Sequence, residues 1–160
     1  MNWDTYFLGI CKAVSLKSPC LSRQIGAIIV RNNSIVATGY NGPSRGIPHC
    51  GYDRVVKDES LRDLVTKSKI PPMDFTQVCP RKVLGYVSGT RMDLCPAQHA
   101  EENAVSNAAR LGVSVYNTTI YLNTVIPCSK CFGTLINSGI TEVVVEESIV
   151  YDDATQYLIN

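Results

Sequence analysis

This sequence lacks a surplus of charge of either sign. Its 15 Lys and Arg residues face 14 Asp and Glu residues, so the formal net charge is only +1. A nucleic-acid-binding domain usually carries a surplus of basic residues. Charged residues make up 18% of the chain and hydrophobic residues 45%, which is ordinary for a globular domain. We therefore expect one globular domain with no nucleic-acid partner.

Long apolar runs, internal repeats and low-complexity segments are also missing. The apolar pattern of the first 17 residues contains Asp4 and Lys12, which predicts an amphipathic helix rather than a signal peptide or a membrane span. The seven cysteines are odd in number. An odd count without a secretory signal argues against a disulfide framework and favours a reducing compartment. We expect a cytoplasmic protein without a membrane partner, in which some thiols bind metal.

The first third of the chain predicts a helix followed by a β-hairpin. Two apolar runs, "IGAIIV" and "SIVATGY", are joined at Asn32 and Asn33, and Asn tolerates the positive φ of a tight turn. A long insertion at about residues 43–94 then carries many Pro, Gly and charged residues. Within it only "DESLRDLVTKSK" has a helical pattern. An irregular insertion of this length in a compact domain indicates a functional or metal-binding role.

The last third of the chain alternates regularly. A helix from about His99 to Leu111 is followed by the β-branched strand "TTIYLNT", the helix "CSKCFGTLINSG" and the strand "TEVVVEE". The closing "DDATQYLIN" predicts a short helix. Alternating strands and helices predict a parallel section of sheet covered by helices. Together with the hairpin this indicates a mixed sheet in an α/β domain.

Two cysteines mark the start of one of these helices. Cys128 and Cys131 follow Pro127 and are three residues apart, so their side chains lie on one side of a first turn. A helix N-terminus lowers thiol pKa values and favours the thiolate that a metal requires. The C-x-x-C pattern alone is only moderately specific, because redox pairs and buried cysteines share it.

His99 and Glu101 occupy the first turn of the other helix. Glu is favoured there by the helix dipole alone, and a single His needs no metal. If the two helices start at one point, however, His99, Cys128 and Cys131 supply three zinc ligands. A fourth position then stays open for water, as in catalytic zinc sites. Glu101 would stand beside that water as a proton acceptor and donor.

The order H-A-E followed by P-C-x-x-C resembles the signature of the zinc-dependent cytidine deaminase superfamily. The stretches "CLSRQIGAIIV", "TGYNGPSRGIPHC" and "CPAQHAEENAV" are most similar to those of deoxycytidylate deaminases. This resemblance implies a three-layer α/β/α fold, with a mixed sheet of four to five strands and helices on both faces. It also implies hydrolytic deamination of dCMP to dUMP and ammonia by a zinc-activated hydroxide, with Glu101 as the catalytic residue.

The resemblance implies further binding residues. Those expected to contact the nucleotide substrate are Arg23, Asn41, Ala100, Asn103 and Tyr151, with Ala100 acting through its backbone amide. The effectors dCTP (activator) and dTTP (inhibitor), with Mg²⁺, are expected at the turn formed by Gly39, Tyr40, Asn41 and Gly42. The catalytic Zn²⁺ has His99, Cys128 and Cys131 as its ligands. The family also implies a homo-oligomer, commonly a hexamer.

A second, structural Zn²⁺ is implied in some of these deaminases. Cys20 and Cys50 match two of its ligand positions, whereas the other two positions have no counterpart. Cys79 and Cys95 would have to replace them, and Cys11 is expected to pack inside the first helix. Only nine residues follow Tyr151, which predicts that a fifth strand is minimal or missing.

Several alternative functions stay open. The chain could act on a free nucleoside, a modified pyrimidine nucleotide or tRNA, or it could be a catalytically silent zinc-binding protein. The near-zero net charge disfavours tRNA, and the G-Y-N-G turn disfavours a free nucleoside. Glu101 argues against a silent protein, because its replacement would be the simplest way to abolish catalysis.

Overall fold

The computed structural model describes all 160 residues, which form two compact units. The first unit contains residues 1–18, 25–41 and 99–160, and the second contains residues 19–24 and 42–98. The expected insertion at about residues 43–94 lies within the second unit.

Most of the regular structure is helical. A 3₁₀ turn covers Met92–Leu94, and the α-helices in chain order are α1 (Trp3–Ser15), α2 (Tyr52–Lys57), α3 (Glu59–Ser68), α4 (Asp74–Gln77), α5 (Pro80–Val83), α6 (Ala100–Arg110), α7 (Ser129–Asn137) and α8 (Asp153–Ile159). The strands are β1 (Gly26–Arg31), β2 (Ser34–Tyr40), β3 (Gly42–Pro43), β4 (Ala97–Gln98), β5 (Thr119–Val125) and β6 (Glu142–Glu147).

The first unit is built on a four-stranded sheet with the strand order β2-β1-β5-β6. β1 pairs antiparallel with β2 and with β5, whereas β5 and β6 are parallel. The predicted hairpin is confirmed, since Asn32 and Asn33 have φ values of 49° and 57°, as a two-residue turn of this kind requires. The expectation of a mixed sheet is confirmed with four strands, and β6 forms its outer edge.

Helices cover both faces of this sheet. On one face, α1 contributes Phe7 and Cys11 to a core that includes Ile28 and Tyr121. On the other face, the alanines of α6 and Leu135 of α7 pack against β1 and β5. The three-layer α/β/α expectation is therefore confirmed. Cys11 is fully buried, and its thiol donates a hydrogen bond to the Tyr121 carbonyl at 3.2 Å.

The second unit is more helical than its sequence predicts. The helix predicted in residues 58–69 is present as α3, but the expectation that the rest of the insertion is irregular is wrong. It also contains α2, α4 and α5, each of four to six residues. Such short helices are marginal on their own. They form here around a local core in which Leu61, Val65 and Phe75 are buried.

None of the helices combines the length and the apolar character that crossing a membrane requires.

Candidate active site

The N-termini of α6 and α7 bring together the side chains of the H-A-E and C-x-x-C motifs. His99 is the N-cap of α6, and Cys128 is the N-cap of α7, each with extended backbone angles. Cys131 lies in the first turn of α7 and is buried. The predicted convergence of the two helix ends is therefore present in the structure.

The geometry of these three side chains fits a zinc ion. The Nδ1 atom of His99 lies 3.6 Å from Sγ of Cys128 and 3.3 Å from Sγ of Cys131. Tetrahedral zinc with ordinary Zn–N and Zn–S bond lengths requires an N–S separation of about 3.6 Å. All three ligand atoms lie within 4.8 Å of one another, and no other group of His, Cys, Asp and Glu side chains in the chain meets this condition.

The two thiols are electrostatically unequal. A hydrogen bond from the Cys131 thiol, together with the His99 ring, lowers the pKa of Cys128 to about 4. The pKa of Cys131 is raised because its thiol donates that hydrogen bond and is buried. The Cys128 sulfur also raises the pKa of His99 by accepting a hydrogen bond from its ring. The cluster thus holds a thiolate at neutral pH, which is the form that binds metal.

Glu101 is buried beside these ligands. Only 5% of its surface is exposed, and burial raises the pKa of its carboxyl group, while its own backbone amide opposes that change. His99 and Cys128 both act electrostatically on it. A carboxyl group whose pKa is moved toward neutrality, and which stands at a metal cluster, is suited to carrying protons.

Glu102, which we did not single out from the sequence, holds the start of α6. Its Oε2 atom accepts a hydrogen bond from the His99 backbone amide at 3.1 Å, as the third residue of a capping box does. A carboxylate three residues after the helix cap was the sequence signal for it.

Asn41 and Asn103 are engaged by the protein itself. The Asn41 side-chain oxygen accepts hydrogen bonds from the Ser18 hydroxyl at 2.7 Å and from the Ile25 amide at 2.8 Å. Asn41 is not among the residues with positive φ, so its backbone does not form a left-handed turn. The Asn103 amide group donates to the Tyr40 carbonyl at 2.8 Å, which ties α6 to the end of β2.

The G-Y-N-G segment is not the tight turn that its composition suggests. Gly39 and Tyr40 are the last residues of β2, Gly42 begins β3, and neither glycine has positive φ. Gly39 lies directly against the backbone of α6, where a Cβ atom would strike Ala100 and Ala104. Close packing, rather than turn geometry, therefore requires this glycine.

The remaining expected substrate residues are spread over the chain. Ala100 is buried at the first position of α6, so its amide lies at the helix N-terminus beside His99. Tyr151 is 47% exposed and lies in the loop between β6 and α8, four residues after β6 ends. Arg23 is exposed in the loop before β1.

The other four cysteines expected to bind zinc all belong to the second unit. Cys50 interacts electrostatically with Cys79 and Cys95, and its sulfur accepts a hydrogen bond from the buried Arg54 guanidinium at 3.8 Å. The Cys20 sulfur accepts one from the Ser22 amide at 3.4 Å. These thiols do not form a group of three ligand atoms within 4.8 Å of one another.

Comparisons with known proteins agree on one family. The family model described as the cytidine and deoxycytidylate deaminase zinc-binding region matches residues 1–147. The deoxycytidylate deaminase of Mycobacterium phage D29 is 30% identical over 148 residues, which are 89% of this chain and 93% of the phage protein. That of Schizosaccharomyces pombe is 32% identical over 158 residues, covering 99% of this chain and 41% of the yeast protein. The chain thus spans about two fifths of its yeast relatives.

Solved structures show the same fold. The apo dCMP deaminase of cyanophage S-TIM5 superposes with a TM-score of 0.62 at 20% identity, covering 98% of this chain and 89% of that one. The same phage enzyme in complex with dCMP and dUMP gives a TM-score of 0.58 at 21% identity, covering 88% of this chain and 78% of that one.

Proposed function

Since this chain belongs to the cytidine and deoxycytidylate deaminase family, we propose that it deaminates dCMP to dUMP and ammonia, with water as the second reactant. The observation that carries the proposal is the convergence of His99, Cys128 and Cys131 next to the buried Glu101. A structural zinc site would have a fourth protein ligand, whereas this cluster has a carboxylate that can move protons.

Glu101 and the metal ligands have separate roles in this proposal. His99, Cys128 and Cys131 would hold the zinc ion, which would lower the pKa of bound water toward ~7 and so supply a nucleophile at neutral pH. Glu101 accepts the first water proton and delivers it to N3 of the cytosine ring. It then transfers the second proton from the new hydroxyl group at C4 to the amino group, which leaves as ammonia. One water is consumed, and the uracil keeps the proton on N3.

The burial of Glu101 supports this proton transfer. Because burial raises its pKa, Glu101 holds a proton more readily than an exposed Glu would. That property suits a group that must both accept and donate a proton in one cycle. We also propose that the Ala100 amide, at the helix N-terminus beside His99, donates a hydrogen bond to the base.

Comparison of substrates tests this function against the alternatives. We expect the purified protein to remove the cytosine absorbance of dCMP, and to act far more slowly on cytidine and dCTP. Glu101→Gln should be inactive, and Glu147→Gln, which changes an exposed carboxylate of β6, should be as active as the wild type. A preference for cytidine or tRNA would indicate the activity of another deaminase of the superfamily. If the zinc-loaded protein acted on none of these substrates, it would be a catalytically silent zinc-binding protein.

We propose that Arg23, Asn41, Asn103 and Tyr151 contact the nucleotide. Charge supports Arg23, since a guanidinium suits a phosphate, and partial exposure at the end of the chain's last loop supports Tyr151. Asn41 and Asn103 are held by backbone bonds, which would fix the orientation of their amides. Single alanine variants, assayed with dCMP and cytidine, separate contacts to phosphate from contacts to sugar or base.

We also propose that dCTP activates and dTTP inhibits through the segment Gly39–Gly42, with Mg²⁺ accompanying the triphosphates. Tyr40 is 37% exposed at the end of β2, and Asn103 links this strand end to the helix that carries Glu101. That link offers a route by which a bound effector would affect the catalytic helix. Initial rates are measured over a range of dCMP concentrations with each triphosphate and Mg²⁺. The dependence of rate on dCMP concentration should change from sigmoidal toward hyperbolic when dCTP is added. Rates that neither triphosphate changes would reject regulation.

Cys20, Cys50, Cys79 and Cys95 are proposed to bind a second, structural zinc. Support comes from the buried Arg54 guanidinium, which pairs with Asp58 at 2.9 Å and also donates a hydrogen bond to the Cys50 sulfur. The sulfurs must draw together for this site to form. Metal analysis of wild type and Cys50→Ser decides the question: two zinc ions falling to one supports the site, and one zinc in both rejects it.

We propose that this chain forms a homo-oligomer, and the family suggests a hexamer. Trp3, Tyr6 and Leu16 on or beside α1 are 54%, 46% and 74% exposed, a degree of apolar exposure that an interface would cover. Light scattering coupled to size-exclusion chromatography measures the mass directly, and a monomer at micromolar concentration would contradict the proposal.

A further inference from the structure

The final helix, α8, makes two hydrogen bonds to the segment that carries the first thiolate ligand. The Oδ2 atom of Asp152 accepts a hydrogen bond from the Ser129 backbone amide at 3.3 Å. The Thr155 hydroxyl, which is completely buried, donates to the Pro127 carbonyl at 3.2 Å. Pro127 and Ser129 are the residues immediately before and after Cys128.

These two bonds restrain the peptide units on either side of the Cys128 Cα atom. The Pro127 carbonyl belongs to the peptide unit that precedes this atom, and the Ser129 amide belongs to the one that follows it. The φ and ψ angles of Cys128, −64° and 160°, are the rotations between these two units. Restraining both units therefore restrains the direction in which the Cys128 side chain leaves the backbone.

Cys131 does not need this support. It lies inside the first turn of α7, where the helix itself fixes the backbone, and the Phe132 amide donates to the Cys128 carbonyl at 2.8 Å. Cys128, in contrast, is the N-cap of α7, with non-helical angles and no side-chain cap bond. Of the two cysteine ligands, Cys128 is thus the one whose position depends more on contacts from elsewhere in the chain.

Asp152 also caps α8 with its other oxygen. Its Oδ1 atom accepts a hydrogen bond from the Thr155 amide at 2.7 Å, and the bonds from the Thr155 and Ser129 amides lower the pKa of Asp152. The carboxylate therefore joins the starts of two helices, with one oxygen on each. An amide side chain could accept only one of these two bonds, because its nitrogen would face the other N–H group.

We propose that Asp152 and Thr155 are positioning residues for the metal centre, and that α8 holds Cys128 in the orientation that binds zinc. The proposal rests on the zinc site of the proposed function and adds to it. Groups that orient metal ligands from outside the ligand set typically change metal affinity 10- to 100-fold when removed. Because these bonds reach the ligand through its backbone, we expect a smaller effect, about three- to tenfold.

Two isosteric variants test the proposal with the full chain in its zinc-loaded form. Asp152→Asn keeps the cap on α8 but cannot accept from both amides, and Thr155→Val removes the hydroxyl without leaving a void. Both should release zinc to a coloured chelator about three- to tenfold faster than wild type. Thr155→Ser, which restores the hydroxyl, should bring the release rate back to within about twofold.

The matched control is Asp153→Asn, the same chemical change one residue further on, at an exposed position of α8. It should release zinc at the wild-type rate. Cobalt-substituted protein adds a spectroscopic measurement, since the thiolate-to-cobalt absorption band should shift in Asp152→Asn and Thr155→Val but not in the control or in Thr155→Ser.

Wild-type release rates and an unchanged cobalt spectrum in both isosteric variants would overturn the proposal. Equal effects in Asp153→Asn would overturn it as well, because the cause would then be loss of charge near α8. A wild-type chain that binds zinc but does not deaminate dCMP would refute the proposed substrate and leave this comparison intact. If the wild-type chain bound no zinc, both proposals would fail.

Discussion

We predict that a single methyl group added at Gly39 displaces α6, the helix that carries Glu101. A Cβ atom added there would strike the Ala104 amide nitrogen and the Ala100 carbonyl oxygen, and it would lie 2.8 Å from the Ala104 Cα atom. All three are backbone atoms, which cannot rotate away as the end of a side chain could. To accommodate Gly39→Ala, α6 must move away from β2.

The expected cost follows from that geometry. Extra methyl groups in well-packed cores usually cost about 1–3 kcal/mol, and contacts with rigid backbone place Gly39→Ala at or above about 3 kcal/mol. The hydrogen bond from Asn103 to the Tyr40 carbonyl, 2.8 Å long, spans the same contact and should lengthen. Since His99 and Glu101 begin α6, we also expect weaker zinc binding.

Urea unfolding monitored by circular dichroism, with zinc content measured in parallel, tests this prediction. Gly9→Ala is the matched control, because the same methyl group in α1 meets nothing within 4 Å. It should stabilise the protein by about 0.5–1 kcal/mol, since Ala is the better helix former. A Gly39→Ala unfolding midpoint equal to that of the wild type would refute the packing argument, and so would equal losses in both variants.

Three further predictions concern chemistry and pH. Glu101→Gln should lower kcat by about 10⁴-fold while retaining zinc, and His99→Ala should lose the metal as well; a Glu101 variant with near-normal kcat would exclude its proton-carrying role. Arg23→Ala should lower kcat/KM for dCMP about ten- to a hundredfold and leave cytidine unaffected, so a parallel loss on both substrates would contradict a phosphate contact. Burial raises the pKa of the Cys11 thiol to about 12. Above pH 9 the unfolded chain therefore loses this proton before the folded chain does, and the free energy of unfolding falls as pH rises. The total decrease between pH 9 and 12 is at most about 4 kcal/mol. Urea unfolding from pH 8 to 11 should show this slope in the wild type and a shallower one in Cys11→Ala; identical slopes would contradict it.

The sheet and the convergence of His99, Cys128 and Cys131 could be predicted because their signals are local. The Asn32–Asn33 turn, the β-branched strands and the caps at His99 and Cys128 each depend on a few neighbouring residues, and each is present in the structure. Ligand identity was equally local, since His, Cys and Cys at two helix starts allow few other chemistries. The resemblance to deaminases then supplied the approximate number of strands and the three-layer arrangement.

The second unit could not be predicted in the same way. Helices of four to six residues have almost no periodicity, and Pro80, which opens α5 at its first position, reads in a sequence as a loop residue. Their stability comes from packing against residues such as Phe75, which is fully buried. A sequence does not reveal which of several scattered apolar residues share a core, so this region was expected to be irregular.

The supports of the two ligand-bearing helices were missed for a related reason. A motif encodes which side chains bind the metal, but the position of each helix start depends on residues distant in sequence. α6 can approach the sheet because Gly39 lacks a side chain, and α7 begins where Asp152 and Thr155 hold its first residues. Read alone, the glycine suggests a turn, while Asp152 resembles an ordinary cap of α8. Only their contacts in the folded chain show that Gly39 also packs against α6 and that Asp152 also accepts a hydrogen bond from the first residue of α7.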